Sequence, residues 1–237
     1  MILIGIDDTD NETSPGTGAL ARALAAECVR RGLGPAVISR HQFLLDPRIP
    51  FTSHNSGACA GIDSPGPAED FLFATDFVAE RSAAGSDPGV CIAAASDVTS
   101  AVVEFGWLAT REVVTTDEAR RVAGGAALRL NELGGAGLGV IGALASVGLR
   151  ACGDEGRIID LPGLRDLPER VGLECLTRLG IVVRYESERR PCPQQSYETL
   201  HWVRPRLEGG RMVWPVEWSE DRDAWIPVDR KRSRPLA

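Results

Sequence analysis

The stretch Ile2-Leu3-Ile4-Gly5-Ile6-Asp7-Asp8-Thr9-Asp10 (ILIGIDDTD) joins a continuous apolar run to three carboxylates within four residues. A short apolar run that stops abruptly at polar residues is typical of a buried β-strand. We therefore predict a strand over residues 2–6 whose carboxyl end presents Asp7, Asp8 and Asp10.

A loop and a helix should follow this strand. Residues 11–18 (NETSPGTG) are rich in turn formers, and residues 19–31 (ALARALAAECVRR) are rich in helix formers and end at a glycine. Strand, loop and helix in this order make the first half of a βαβ unit, and residues 36–39 (AVIS) fit the next strand.

The remaining sequence continues this mixture of strands and helices. Further strands are predicted at residues 57–62, 89–95, 154–161 and 181–185, and a hairpin at 200–203 and 211–216. Further helices are predicted at residues 68–83, 96–109, 116–133 and 167–179. The fold class is thus α/β (α+β): a mixed sheet with flanking helices, a ferredoxin-like subdomain around residues 57–115 and a β-rich C-terminal extension. We place an α/β catalytic domain at 1–185 and the extension at 186–237.

The acidic cluster suits a divalent cation. Three carboxylates this close repel one another unless a positive charge neutralises them. Mg²⁺ prefers one or two carboxylates together with waters and substrate phosphate oxygens. Asp7, Asp8 and Asp10 are therefore the candidate metal ligands and catalytic residues. The alternative is that these acids only cap the following loop and helix.

Two glycine-rich passages are candidate phosphate-binding loops. The first leads into a helix, whose N-terminal N–H groups and dipole attract anions, although an ordinary turn before a helix is the alternative. The second contains GxGxxG at residues 137–142. It follows a predicted helix rather than the strand that dinucleotide-binding loops require, so close packing of a helix on a sheet is its alternative. The predicted nucleotide-binding residues are Thr9, Gly16, Thr17, Gly18, Gly135, Gly137 and Gly139.

Composition narrows the class of protein. A net charge of -7 argues against nucleic-acid binding through a globally basic surface. Lys231 is the only lysine, so any phosphate must be met by arginine, a helix N-terminus or a metal. No apolar run is long enough to cross a membrane and the N-terminus turns acidic after six residues, which predicts a cytoplasmic protein without a membrane partner. The six cysteines lack zinc-ligand spacing and indicate reduced, mostly buried thiols.

Two further groups of side chains could contact a substrate. His54 and Asn55 lie in the polar stretch at residues 41–67, where a structural role is the alternative. From Arg184 onwards, arginines interleave with tryptophans, a composition that can stack on RNA or simply pack an extension onto the body. The arginines concerned are Arg184, Arg189, Arg190, Arg204, Arg206, Arg211, Arg222, Arg230, Arg232 and Arg234.

Three motifs in order resemble the archaeal tRNA(Ile2) 2-agmatinylcytidine synthetase family: GIDDTD at residues 5–10, DPRIPFTSHNSGAC at 46–59, and GLGVIGALASVG at 137–148 followed by Asp154. The resemblance covers the kinase-like and ferredoxin-like portion only, because the family's OB-fold and zinc ribbon have no counterpart among these residues. Leu138 stands where the family has an arginine.

The resemblance implies an ATP-using domain that activates the cytosine C2 oxygen by phosphorylation before agmatine displaces it. It assigns Mg²⁺ to Asp7, Asp8 and Asp10, and the nucleotide to the loops at Gly16 and at residues 137–139.

We therefore predict an Mg-ATP-dependent phosphotransferase or ligase-like enzyme with Mg²⁺ and ATP as cofactors, in which positioning and charge neutralisation carry catalysis. Its partners are a nucleotide and a tRNA or small-molecule acceptor. An RNA-binding or RNA-modification accessory protein without catalysis and a metal-dependent phosphohydrolase are the two alternatives. Neither the acceptor nor the oligomeric state follows from the sequence.

Overall fold

The computed structural model describes residues 1–50, 54–186 and 195–228, in which helices and strands alternate. The α-helices are α1 (Thr17–Arg30), α2 (Phe73–Arg81), α3 (Ser100–Ala109), α4 (Thr116–Gly124), α5 (Gly139–Cys152) and α6 (Leu173–Arg178). The strands are β1 (Ile2–Asp7), β2 (Ala36–Gln42), β3 (Ser56–Ile62), β4 (Gly89–Ala94), β5 (Arg129–Glu132), β6 (Arg157–Asp160), β7 (Arg170–Val171), β8 (Ile181–Tyr185), β9 (Tyr197–Glu198), β10 (Arg206–Glu208), β11 (Arg211–Ser219) and β12 (Ala224–Pro227). Short 3-10 helices at Ala68–Phe71 and Ala95–Asp97 precede α2 and α3.

The strands form one mixed sheet with the order β5-β4-β1-β3-β2-β6-β10-β11-β12-β9-β7, and β8 pairs with β11. This confirms the predicted mixed α/β class. Strands β1 and β2 are each antiparallel to β3, so they run parallel to each other with β3 between them. The predicted βαβ unit is thus present in its split form.

The ferredoxin-like arrangement lies nearer the N-terminus than the region around residues 57–115. The order β4-β1-β3-β2, with α1 and α2 as the crossovers, is the split βαβ pattern and spans residues 2–94. The central position of β1 produces this difference, since β1 pairs with both β3 and β4. Helix α3, which falls in the predicted region, packs on α5 instead.

Strand β1 separates two hydrophobic cores, because alternate side chains of a strand point to opposite faces. Ile2, Ile4 and Ile6 are buried with residues of α1 and α2 on one face. Leu3 is buried on the other face with α3, α4 and α5. Gly5 and Asp7 continue the Leu3 face, which directs the first carboxylate of the motif towards α5.

Helix α5 lies in direct backbone contact with the sheet. A Cβ placed on Gly5 would come within 2.1 Å of the carbonyl oxygen of Ala143, and one on Gly89 within 2.2 Å of the carbonyl carbon of Gly139. On its outer side, a Cβ on Gly148 would come within 2.2 Å of the carbonyl oxygen of Val102 in α3. Glycine at these positions therefore lets a helix fit between a sheet and a second helix.

Tertiary contacts override two of the predicted helices. The helix predicted at 116–133 ends at Gly124, and β5 then pairs antiparallel with β4. Two successive glycines, Gly124 and Gly125, favour this stop, because glycine is a poor helix former. The helix predicted at 167–179 is replaced by β7 and the shorter α6, between which Gly172 lies.

A third core joins the C-terminal strands to the body. Trp214 and Trp225 are buried there with residues of β6, β8 and β10. The hairpin is formed by β10 and β11 rather than by 200–203 and 211–216, with Gly209 and Gly210 both at positive φ as its two-residue turn. Pairs β2–β6, β6–β10 and β8–β11 continue the sheet across residue 185, and the predicted division there remains a prediction.

The structure also bears on the state of the cysteines and on the possibility of a membrane-spanning helix. All five cysteines in the described ranges are free thiols: Cys28, Cys59 and Cys91 are buried, and Cys152 and Cys175 are half-buried. Cys192 lies outside those ranges. No helix in the described part of the chain combines the length and apolar character needed to span a bilayer.

Replacing Gly5 by alanine should destabilise the protein, because the added methyl group overlaps the carbonyl of Ala143. We expect the free energy of unfolding in urea to fall by about 3 kcal/mol. Gly124→Ala is the matched control, since Gly124 is exposed at the end of α4 and no described atom lies within 4 Å of its added Cβ. The control should be neutral or stabilise by about 0.5–1 kcal/mol, and equal losses in both variants would contradict the packing argument.

Candidate functional site

The carboxylates of the motif gather where β1 meets the first turn of α5. Asp7 is half-buried, and a Cβ on Gly142 of α5 would come within 1.8 Å of its Oδ2. Burial, together with the nearby charges of Asp8 and Asp10, raises the pKa of Asp7 to about 7, against the lowering effect of a hydrogen bond from the Asp8 backbone. A group with this pKa binds a proton or a cation readily at neutral pH.

Asp8 adopts an uncommon backbone conformation. Its φ of 51° lies in the left-handed region, which aspartate tolerates better than most residues but which still costs free energy. Burial raises the pKa of Asp8, and the charges of Asp87 and Asp10 raise it further. Such strain at a cluster of like charges is characteristic of functional sites.

Asp87 is a fourth acid at this site, and sequence reasoning missed it. Strand β4 runs antiparallel to β1 with Asp7 opposite Gly89, so the residues just before β4 lie beside those just after β1. The only local signal is an acid two residues before a predicted strand. That signal becomes informative once β4 is known to pair with β1.

The second glycine-rich loop binds this internal carboxylate. The backbone N–H groups of Ala136 and Gly137 donate to Oδ1 of Asp87, and the N–H of Gly139 donates to the Asp87 carbonyl at 3.0 Å. Gly135 and Gly137 have φ values of 63° and 76°, which favour glycine. Gly135, Gly137 and Gly139 line neither of the two cavities described below, and their role towards a nucleotide remains a prediction.

The first loop is tied to the acidic cluster by hydroxyl groups. Thr17, the first residue of α1, donates from Oγ1 to Oδ1 of Asp10 at 2.8 Å and accepts from the Thr9 hydroxyl at 3.1 Å. Both threonines are buried. Gly16 caps α1 without a side-chain hydrogen bond to the first turn. The sequence motif and the helix N-terminus are thereby held together as one unit.

An acid-lined cavity of about 150 Å³ opens over these residues. Asp7, Asp8 and Asp10 lie at its acidic end, and Phe43, Val114, Leu138 and Ile141 contribute apolar walls. His54 and Asn55 also line it, and Asn55 is anchored by donation from Nδ2 to the Leu44 carbonyl at 2.7 Å. The cavity therefore offers an apolar body site that ends in carboxylates.

An arginine-lined groove of about 750 Å³ adjoins this cavity. The groove runs past Gly16 and Gly18 at the start of α1 and past β2 and β6. Both spaces are lined by Asp10, Thr17, His54 and Ser56, which we call the junction. Two compartments of opposite charge therefore meet at four polar side chains.

Oxygen ligands at the acidic end suit a hard cation. Within residues 1–50, 54–186 and 195–228, no three His, Cys, Asp or Glu side chains form a group that could hold a metal ion by themselves. Mg²⁺ commonly takes one or two carboxylates and completes its shell with water and phosphate oxygens. The residues present fit that mode of binding rather than an all-protein cage.

Among the described C-terminal arginines, two form ion pairs and one stacks on a tryptophan. Arg184 pairs with Glu186 and Glu208 as an ordinary surface ion pair, whereas Arg222 pairs with the buried Glu198. The guanidinium of Arg204 stacks on Trp202 at 4.5 Å in the arginine-lined groove. Outside the described residues lie Arg189, Arg190, Arg230, Arg232 and Arg234.

The raised pKa of Asp7 predicts a pH-dependent effect of Asp7→Asn in the presence of a chelator. The folded protein favours protonated Asp7, so its contribution to stability is full below its ordinary pKa of 3.8 and is lost as pH rises through about 7. We expect Asp7→Asn to raise the melting temperature by about 2 °C or more at pH 8, with the difference vanishing near pH 4. Differential scanning calorimetry across this range checks it, and parallel profiles for the two proteins would contradict it.

Comparison with known proteins finds likeness only among solved structures, since no family model and no curated protein matches the chain. The crystal structure of the TiaS–tRNA(Ile2)–ATP complex has 27% identity and a TM-score of 0.53 over 62% of this chain and 36% of that one. A tRNA fluorescent labeling enzyme has 28% identity and a TM-score of 0.53 over 62% and 35%. Apo TiaS, tRNA(Ile2) agmatidine synthetase, is 27% identical in sequence with a TM-score of 0.52, and the match covers 62% of this chain and 35% of that one. The matched part spans about a third of these proteins' length, and over it the chain has a TiaS-like fold.

Proposed function

We propose that the chain is an Mg-ATP-dependent phosphotransferase or ligase-like enzyme, related to the catalytic domain of TiaS. The observation that carries the proposal is the meeting of the acid-lined cavity and the arginine-lined groove at Asp10, Thr17, His54 and Ser56. Transfer of a phosphoryl or nucleotidyl group requires cation-binding oxygens beside a site for phosphates, with an acceptor site next to both.

The use of ATP is supported by the solved structures of similar fold. TiaS has been crystallised with ATP, and with AMPCPP and agmatine. In this chain the phosphates would lie at Gly16–Gly18, where the N-terminus of α1 attracts anions, and buried Thr9 would support the site through its hydrogen bond to Thr17. This assignment agrees with the single lysine, because backbone amides and arginines take the place of a phosphate-binding lysine.

Magnesium fits the acidic end of the cavity by ligand chemistry. Asp7, Asp8 and Asp10 would hold it, and the ion would neutralise charge on the phosphates. The chain's own residues prepare this arrangement: Thr17 fixes Asp10 through a hydrogen bond, and α5 fixes Asp7 by close packing. The apolar walls keep water away from the acceptor, which strengthens electrostatic interactions at the junction.

The acceptor would enter the acid-lined cavity from the side of His54 and Asn55. A tRNA or a small molecule is the proposed acceptor, since TiaS complexes contain tRNA and agmatine. An accessory RNA-binding protein would bind RNA without consuming ATP. A phosphohydrolase would release phosphate from esters without an acceptor.

Thermal-shift titration tests the proposal. ATP with Mg²⁺ should raise the melting temperature of the wild-type protein by several degrees more than ATP with a chelator, because ligand binding to the folded state stabilises it. Asp8→Asn should lose most of the magnesium-dependent part. Asp221→Asn, in the exposed turn between β11 and β12, is the matched control and should respond as wild type.

The same samples distinguish the alternatives when radiolabelled ATP is added with candidate acceptors. Formation of ADP or AMP that depends on an acceptor supports transfer. Phosphate release without an acceptor indicates a hydrolase. An identical magnesium response in wild type and Asp8→Asn would disprove the role of the acidic cluster.

A further inference from the structure

The arginine-lined groove collects positive charge from distant parts of the sequence. Among the described residues that line it, four are arginines and two are carboxylates, Asp10 and Glu155. Both carboxylates are already engaged: Asp10 accepts from Thr17 at 2.8 Å, and Glu155 lies 2.7 Å from Nδ1 of the buried His41. The arginines are Arg22 of α1, Arg40 of β2, Arg157 of β6 and Arg204, which follows the turn after β9.

These arginines are close enough to disturb one another. Burial lowers the pKa of Arg22 and Arg204, and the charge of Arg165 lowers both further, while Asp160 opposes the shift. Burial and the charge of Arg157 lower the pKa of Arg40, whose Nε donates to the Ser56 hydroxyl at 2.9 Å. Asp160 also pairs with Arg165 at 3.3 Å, so its negative charge is divided between Arg165 and the arginines of the groove. An excess of neighbouring cations is stabilised by an anion of several charges.

The size and the helix terminus of the groove favour a nucleotide. Its volume of about 750 Å³ falls in the range of small-molecule sites rather than that of a surface that follows a long strand. The fourteen-residue helix α1 begins in the groove, which Gly16 and Gly18 line, and the N-terminus of a helix attracts phosphate oxygens. These features match a chain of linked phosphates.

Trp202 supplies a platform for a base. It lines the groove, and the guanidinium of Arg204 stacks over its ring at 4.5 Å. Two consecutive non-glycine residues with positive φ, Leu200 and His201, precede it, and the Trp202 N–H donates to the Thr199 carbonyl at 2.8 Å. Aromatic rings in this setting stack on nucleobases of any type.

We infer that the groove is the nucleotide site, in which Arg22, Arg40, Arg157 and Arg204 bind the polyphosphate tail and Trp202 stacks on the base. The terminal phosphate lies at the junction, and the acid-lined cavity is left for the acceptor. This inference rests on the proposed function and adds to it the residues that bind the nucleoside triphosphate.

Isothermal titration of the full chain with ATP, ADP, AMP, adenosine and tripolyphosphate tests the assignment. Arg22→Gln and Arg204→Gln should each weaken ATP binding about tenfold or more, with a smaller loss for AMP and no change for adenosine. Trp202→Ala should weaken ATP and adenosine equally and leave tripolyphosphate unchanged, whereas Trp202→Phe should retain most binding.

Controls separate loss of folding from loss of the site. Arg22→Lys keeps the charge and should restore part of the ATP affinity. Arg81→Gln removes an arginine that stacks on Phe77 outside both cavities and should bind as wild type. Circular dichroism and melting temperature verify that each variant is folded.

The outcomes distinguish this inference from the proposed function. If wild type binds ATP and the folded groove variants bind it equally well, the inference is wrong and the proposed function stands. If the groove variants bind ATP as wild type does but bind a twelve-nucleotide oligoribonucleotide more weakly, in a salt-sensitive manner, the groove binds single-stranded RNA. The inference is also wrong in that case. Failure of wild type to bind any nucleotide would overturn both.

Discussion

The backbone contact between helix α5 and the central sheet is the constraint on which the site depends. Gly5 and Gly89 of the sheet have no side chain where α5 crosses them, and a single methyl group at either position would overlap the helix backbone. This approach brings the first turn of α5 over the end of β1. Asp7 consequently lies against Gly142 instead of in open solvent.

Close packing and charge oppose each other at this point. A carboxylate that is packed beneath a helix and beside other acids is poorly solvated, and its pKa rises accordingly. The apolar burial in the three hydrophobic cores offsets the free-energy cost of burying this carboxylate. Binding of a cation or a proton would relieve this unfavourable burial and stabilise the folded protein. The close packing of Asp7 therefore favours ligand binding at this site.

Sequence reasoning succeeded where the signal is local. The apolar run before Asp7 and the alternation of Ile2, Leu3 and Ile4 identify β1 and its buried character without knowledge of the fold. The position of Asp87 could not be predicted in this way, because it depends on β4 pairing antiparallel with β1. The arginine-lined groove is harder still, since its arginines come from separate elements that only the tertiary fold brings together.

Because α5 touches β1 and α3 through backbone atoms, these elements have no room to slide past one another. Their relative position is therefore fixed by packing. Arg48 and Glu112, which also line the acid-lined cavity, lie on loops outside these packed elements. Any change in the shape of the cavity is therefore expected to come from these loops and not from a shift of α5 against β1.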